Sequence, residues 1–451
     1  MGHIAGKDVY RNLGKKIDSL TFRAPWNETF HALLKELYAP EEADLVAKMP
    51  FTLTPFDRLR SITGYNEAHL RNLLEGLCSK GLVLDLWLSD SYHYMPSPFV
   101  IGIFELTMMR TAPDQDWKKI SRLFHDYMLT QQDFLAANCS HGERVALLRT
   151  LPHEEVIDKE DYVDILDYER ASAIIEGQES FAIGICSCRH TAAHTGTKTC
   201  DVPLDTCSSF GIAAEFLVRR GLARKVSKAE MLDNVSRSKE LGLVLNIDNV
   251  QRNPAYMCHC CSDCCHLLVG MKRWGYTNVV ITSAFLPETD LEKCTGCGLC
   301  ARACPIDART MVKDENPRSK SHVPKSPGSI NPVPKRKKPV TDAAICLGCG
   351  VCALKCKSKA LALVRKKKRI ITPETTFERI MLQCLERGTI QNQLFDNPQS
   401  ATHKFMRVFV GGFLRLSPVK RALMSDSLRS TFLAAMKKGA SVRGRGWMTR
   451  V

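Results

Sequence analysis

No apolar run in this chain approaches the ~20 residues that a membrane-spanning helix requires, so a chain that crosses a bilayer is not expected. The opening MGHIAGKDVYRNLGKKIDSL has no apolar stretch of the kind a secretory signal carries. Gly6 stands where a myristoylation pattern needs Ser or Thr. No G-x-G-x-x-G follows a strand-like run and no Walker A sequence occurs, so neither dinucleotide nor ATP binding has a motif behind it. H-E-x-x-H and G-x-S-x-G are missing too. A haem-attaching C-x-x-C-H is also lacking, because Cys265 follows Cys264 where His is needed. A flavin needs no short motif and stays open. No acids, bases or nucleophiles group themselves in the sequence, and no catalytic residue is assigned.

Cysteine is what the chain has in excess: 20 of 451 residues, 17 of them between Cys186 and Cys356. Disulfides in such numbers belong to short secreted chains, and the start carries no secretory pattern. The expectation is therefore reduced thiols bound to metal, in a cytoplasm. Otherwise the composition, 44% hydrophobic and 25% charged, is that of a globular protein, with length for about three domains.

The most specific pattern is CTGCGLCARACP at 294–305, repeated as CLGCGVCALKCK at 346–357. Each is C-x2-C-x2-C-x3-C. Three thiolates spaced by two residues wrap three iron corners of one cubane, and the fourth crosses to the other cluster. Cys294, Cys297, Cys300 and Cys356 then hold one [4Fe–4S] cluster, and Cys346, Cys349, Cys352 and Cys304 the second. Gly296, Gly298, Gly348 and Gly350 let backbone N–H groups approach the sulfurs. Zinc ribbons use paired C-x2-C knuckles instead. These roughly eighty residues resemble the bacterial two-cluster ferredoxins. They depart from that pattern in Lys357, where Pro is frequent, and in a long insert between the motifs.

Nine more cysteines lie upstream: Cys186, Cys188, Cys200 and Cys207, then Cys258, Cys260, Cys261, Cys264 and Cys265 in MCHCCSDCCH. Soft thiolates in such groups select iron–sulfur, zinc or copper(I). The first four are enough for one site, and the second run could complete another or share ligands. Adjacent cysteines such as Cys260 and Cys261 point in different directions, so one run can serve two centres. A third [4Fe–4S] cluster is expected here, the nine thiols leave room for a fourth, and zinc is the alternative. His259, Asp263 and His266 are further ligand candidates, or else neighbours of the ligands. Cys78, Cys139 and Cys384 read as packing thiols.

The fold expected is α+β and multidomain. Residues 1–115 read as a helical, winged-helix-like domain: TPFDRLRSIT, Gly64, NEAHLRNLLEGLCSKG, then strands LVLDLW and YHYMP. Its second helix carries Glu67 and Glu75 beside Arg71 and Lys80, too neutral for phosphate contact, so DNA is not the expected ligand. Residues 116–290 read as an α/β cysteine-rich domain, with a helix at 164–177 and a buried strand in SFAIGIC. Residues 291–370 are the ferredoxin-like domain, in which 305–345, with seven prolines and nine Lys/Arg, reads as an exposed basic loop. Residues 371–451 are a helical basic segment.

A winged-helix-like start, a CxCR element, a cysteine-dense CxCCxxCC element and a two-cluster ferredoxin, in that order, resemble a family of anaerobe iron–sulfur proteins described only as 4Fe–4S-binding. The resemblance runs to about residue 370 and implies electron transfer without naming a substrate. The expected function is an electron carrier, or an electron-transfer subunit of an anaerobic oxidoreductase. The rivals are a reductase with its own substrate site at 186–265 and a redox-sensing winged-helix regulator.

Two-thirds of the formal charge of +15 sits at one end: from 399 to 451 there are eleven Lys/Arg against Asp426 alone. Apolar residues recur there at helical spacing, Phe405, Phe409, Phe413 and Leu416 in one stripe, Leu428, Phe432, Leu433 and Met436 in another. Such a segment binds a membrane surface peripherally, docks an acidic partner, or packs on its own domain. KRKK (335–338) and RKKKR (365–369) could steer an acidic redox partner.

Overall fold

The computed structural model describes residues 5–139, 145–162, 165–276, 280–314, 337–366 and 372–450. Near the N-terminus, helix Phe56–Thr63 buries Leu59 and Thr63 and stops at Gly64, whose φ of 72° is the left-handed conformation glycine adopts without strain. Helix Glu67–Ser79 follows, capped by the Asn66 side chain and burying Leu70, Leu74 and Leu77. Strands β1 (Thr54–Pro55), β2 (Val83–Leu88) and β3 (Ser91–Pro96) pair antiparallel in the order β1–β3–β2. Ser89 and Asp90, both at positive φ, make the tight turn between β2 and β3.

Charges of the second helix are engaged within the molecule. Glu67 pairs with Arg60 and Arg71, and Glu75 with Arg220. Arg220 also meets Asp85, a carboxylate 3% exposed on β2, and so ties this hairpin to the helix Gly211–Arg219.

Seven strands form the middle sheet: β4 (Leu148–Leu151), β5 (Phe181–Ile185), β6 (Asp205–Phe210), β7 (Ala223–Lys225), β8 (Val244–Asp248), β9 (Tyr256–Cys260) and β10 (Val280–Ile281). Their order is β10–β4–β8–β9–β6–β5–β7, and among the described residues only β10–β4 is a parallel pair in this sheet. Helices and strands alternate as the sequence implied, but not as parallel βαβ units. Residues 249–255, which join β8 to β9, are too few for the crossover a parallel pair requires. The helix expected at 164–177 is shorter, with Ala171–Glu176 following a 3-10 turn at Asp167–Glu169; its first residue lies outside the described part. There the Glu169 carboxylate accepts from Leu166 N, closing a local turn instead of continuing the helix.

Downstream, β11 (Phe285–Thr289) pairs with β14 (Leu361–Arg365) and β12 (Arg309–Lys313) with β13 (Lys337–Thr341), both antiparallel. The stretch read as a loop over 305–345 therefore begins and ends as a hairpin, with 315–336 outside the described residues. Most of the two basic runs beside it, KRKK and RKKKR, falls outside them as well.

The ferredoxin-like part is bonded to the middle sheet. His153 N donates to Cys349 O at 3.0 Å, Ser283 N to Leu347 O at 2.8 Å, and Ser283 Oγ to Gly348 O at 2.7 Å. Gly348 has φ of 67°, and a Cβ there would collide with the Phe285 carbonyl and Ser283 Oγ, so this approach requires glycine. One contiguous apolar core runs from Leu13 and Phe30 through Val244, Cys260 and Leu268 to Leu347, Cys349 and Val351.

At the C-terminal end, helix Thr376–Arg387 buries Phe377, Met381, Leu382 and Leu385 against Met424 and Leu433. Asp396, 2% exposed, joins this end to the start of the chain: Arg58 donates to it at 2.9 and 3.0 Å, and Arg445 pairs with it at 3.0 Å. Burial would raise the Asp396 carboxyl, but the Arg58 hydrogen bonds and the Arg445 and Arg58 charges outweigh it and hold it at about 2. Among the described residues no helix is long and apolar enough to cross a membrane.

Candidate metal centres

The two ferredoxin motifs build two cavities, and the thiols divide between them in the crossed pattern. Cys294, Cys297, Cys300 and Cys356 line one cavity together with Leu299, Met311 and Leu361. Cys304, Cys346, Cys349 and Cys352 line another with Ile306, Ala308 and Leu347. Each motif thus sends its fourth cysteine to the other motif's cavity. Short helices Leu299–Arg302 and Val351–Leu354 start just after Gly298 and Gly350, at φ of 74° and 85°, and aim N–H groups at the thiols. Cys297 takes a bond from Leu299 N, which with the Thr295 side chain lowers its thiol. Burial raises the Cys346 and Cys349 thiols, opposed by N–H bonds from Gly348 and Val351. Burial likewise pushes Cys352 up to about 12 against the charge of Arg309, a nearly buried guanidinium lining the second cavity. Four thiols facing one apolar volume, with N–H donors at the sulfurs, fit a [4Fe–4S] cluster in each.

The nine upstream thiols fall into two groups, and not the ones that chain order implied. Six make a row of successive contacts: Cys186 to Cys188, Cys188 to Cys265, Cys265 to Cys260, Cys260 to Cys258, and Cys258 to Cys207. Cys186 directly follows β5 and is the N-cap of helix Ser187–Thr195; Cys265 is the N-cap of helix His266–Trp274. Cys207 lies on β6, and Cys258 and Cys260 on β9. A hydrogen bond from Cys188 lowers the Cys186 thiol to about 6 against burial, with the Arg189 charge assisting. Bonds from Cys188 and Cys260 lower Cys265, helped by Leu268 N and Leu267 N at the helix start.

Cys200 is not with Cys186, Cys188 and Cys207. It meets Cys261 and Cys264, each with Sγ–Sγ of 3.8 Å, and the Asp263 carboxylate joins them; the four donor atoms lie within 4.8 Å of one another. Cys260 and Cys265 thus face the row while their neighbours Cys261 and Cys264 face away.

Of the other sequence candidates, Asp263 stands among thiols and His259 does not. Period-two alternation on β9 turns His259 to the opposite face from Cys258 and Cys260. Its ring nitrogens bond Ser208 Oγ at 2.8 Å and Ser238 Oγ at 2.6 Å, and burial lowers it to about 3. His266 stacks on Phe104 at 4.8 Å, with burial lowering it to about 4. Two residues beside the thiols, Asn246 and Glu105, carried no sequence signal, and Arg189, the arginine of the CxCR element, stands there with them. Asn246 on β8 lies beside Cys260, Arg189 reaches Cys261, and Glu105 lies near Cys186, its carboxyl pushed up to about 7 by burial. Cys78, Cys139 and Cys384 are buried among apolar residues.

No curated protein and no solved structure gives a significant match to the chain. A family model described as a 4Fe–4S dicluster domain matches residues 293–360, the span that holds all eight cysteines of the two crossed cavities. Those residues are a ferredoxin-like 4Fe–4S domain.

Proposed function

We propose that the chain is an electron-transfer protein, a carrier or the electron-transfer subunit of a larger oxidoreductase, in which the dicluster domain works together with a third iron–sulfur centre held by the six-thiol row. The crossed sorting of eight cysteines into two cavities is the observation that carries it. Clusters held there would supply one-electron storage. The protein's part is to exclude water with Leu299, Met311, Ile306 and Leu347, to bond the sulfurs through backbone N–H groups, and to place Arg309 beside the second cavity. Six thiols exceed the four donors a single tetrahedral ion takes, so the row suits a polynuclear centre. Cys258, Cys260 and Cys265 belong to the same apolar core as Cys346 and Cys349, which gives the row and the second cavity one continuous, water-excluding surround. Anaerobic reductive titration followed by EPR tests this reading: successive one-electron uptakes support it, and a chain that takes up none defeats it.

One surface supports a location for this activity. On helix Ala401–Leu414, Phe405, Val408, Phe409 and Phe413, with Leu416 just beyond, are 53–78% exposed, flanked by exposed Lys404, Arg415 and Arg421. The second stripe is split: Leu433 is buried and Phe432 and Met436 pack beside it, while Leu428 is 45% exposed. The first stripe is therefore the face offered to an anionic membrane surface, where each cation contributes about 1 kcal/mol. Phe405→Glu/Phe409→Glu/Phe413→Glu should abolish salt-sensitive binding to vesicles containing phosphatidylserine while leaving iron content unchanged. Unaltered vesicle binding would remove the membrane reading.

A further inference from the structure

We propose that Cys200, Cys261, Cys264 and Asp263 form a mononuclear zinc site, separate from the iron–sulfur centres. Spacing is the first argument. A tetrahedral Zn²⁺ bound at about 2.3 Å to sulfur sets its thiolates about 3.8 Å apart. Cys200 lies 3.8 Å from Cys261 and 3.8 Å from Cys264. A cubane puts four irons between its thiolates and holds them farther apart, so this group is too tight for one.

The donor set and its supports agree. Cys261 and Cys264 are a C-x2-C knuckle, and Cys200 closes on it from a loop some sixty residues earlier in the chain. Zinc accepts a carboxylate oxygen beside thiolates, and the oxygen donor of Asp263 is within 4.8 Å of all three sulfurs. Asp263 Oδ2 accepts from Thr199 N at 3.1 Å, Thr199 Oγ1 at 2.9 Å and Cys200 N at 2.8 Å. Those bonds fix the carboxylate and the Cys200 loop together, as partners that orient a metal ligand do. The Arg189 guanidinium, with no exposed surface, sits against Cys261, and its buried Nε has no hydrogen-bond partner among the described residues. Three thiolates and a carboxylate around a divalent ion leave two excess negative charges, and Arg189 offsets one of them.

Such an ion clamps the 196–204 loop onto the turn that leads into helix His266–Trp274. Cys265, the N-cap of that helix, and Cys188, in the helix that precedes the loop, both belong to the six-thiol row. The zinc site then sets the positions of the row's ligands without joining it.

Metal analysis and zinc K-edge X-ray absorption on the native full-length chain test this together, because the edge is specific to zinc in the presence of iron. The expected result is about one zinc per chain with three sulfur neighbours near 2.3 Å and one oxygen near 2.0 Å. Cys261→Ser/Cys264→Ser should lose that zinc and keep all of the iron. The proposal is overturned by a native chain without zinc, by zinc bound only through oxygen and nitrogen, or by a double variant that loses about four irons. If the double variant does not fold, the absorption spectrum of the native chain decides.

Discussion

Replacing Cys304 and Cys352 together should destroy one cubane and leave the other untouched, whereas replacing Cys304 and Cys300 together should leave neither untouched. Both double variants remove two thiolates from the same domain, so they differ only in geometry. Cys304 stands four residues after Cys300 in the same motif, yet it lines the cavity of Cys346, Cys349 and Cys352. Cys300 lines the other cavity with Cys294, Cys297 and Cys356. In Cys304→Ser/Cys352→Ser one cluster loses two of its four ligands, and about four irons should be lost while the remaining EPR signal is unchanged. In Cys304→Ser/Cys300→Ser each cluster loses one ligand, and both signals should change. If instead the Cys304/Cys300 variant keeps one native signal, each motif holds its own cluster and the crossed assignment is wrong.

Cys188→Ser/Cys260→Ser should remove about four irons and a spectroscopically separate signal, leaving the eight irons of the dicluster domain and the zinc in place. These two thiols are interior members of the row: Cys188 links Cys186 to Cys265, and Cys260 links Cys265 to Cys258. Their loss cuts the row into fragments too small for a cluster. The same centre should be easier to reduce than the ferredoxin pair, because positive potential favours the reduced form. That potential comes from two helix N-termini, at Cys186 and Cys265, and from the Arg189 charge on Cys186. It does not come from the neighbouring histidines: burial disfavours the charged form of both His259 and His266. Retention of all iron by this variant would leave the row without a cluster.

The dicluster domain was legible in the sequence because its ligand spacing is local. A thiolate every third residue already describes three corners of a cubane, and the crossing of Cys304 and Cys356 follows from how little chain remains to return. The grouping of the other nine was not legible, because it depends on strand pairing. Cys207 reaches Cys258 only because β6 lies beside β9, and Cys200 leaves its sequence neighbours because the loop after helix Ser187–Thr195 folds back to Cys261. Part of that grouping is local all the same: strand alternation in YMCHC places Cys258 and Cys260 together and His259 opposite. The hairpin order near the N-terminus was readable from Gly64, Gly81 and the apolar spacing of Leu70, Leu74 and Leu77. Both stripes of the basic end were visible as helical periodicity. Periodicity alone does not tell a face that packs, such as that of Leu433, from one that stays in water, such as that of Phe409.

The central claim is that this chain stores and passes single electrons through more than one cluster. Its most direct test is an anaerobic reductive titration of the full-length protein, with iron and acid-labile sulfide counted on the same sample and EPR recorded at each potential. The account predicts at least about eight irons per chain, rising to about twelve with the six-thiol row filled, and a separate one-electron step for each cluster. Fewer than about eight irons at full occupancy, or zinc in the crossed cavities with no EPR-active reduction, would contradict it.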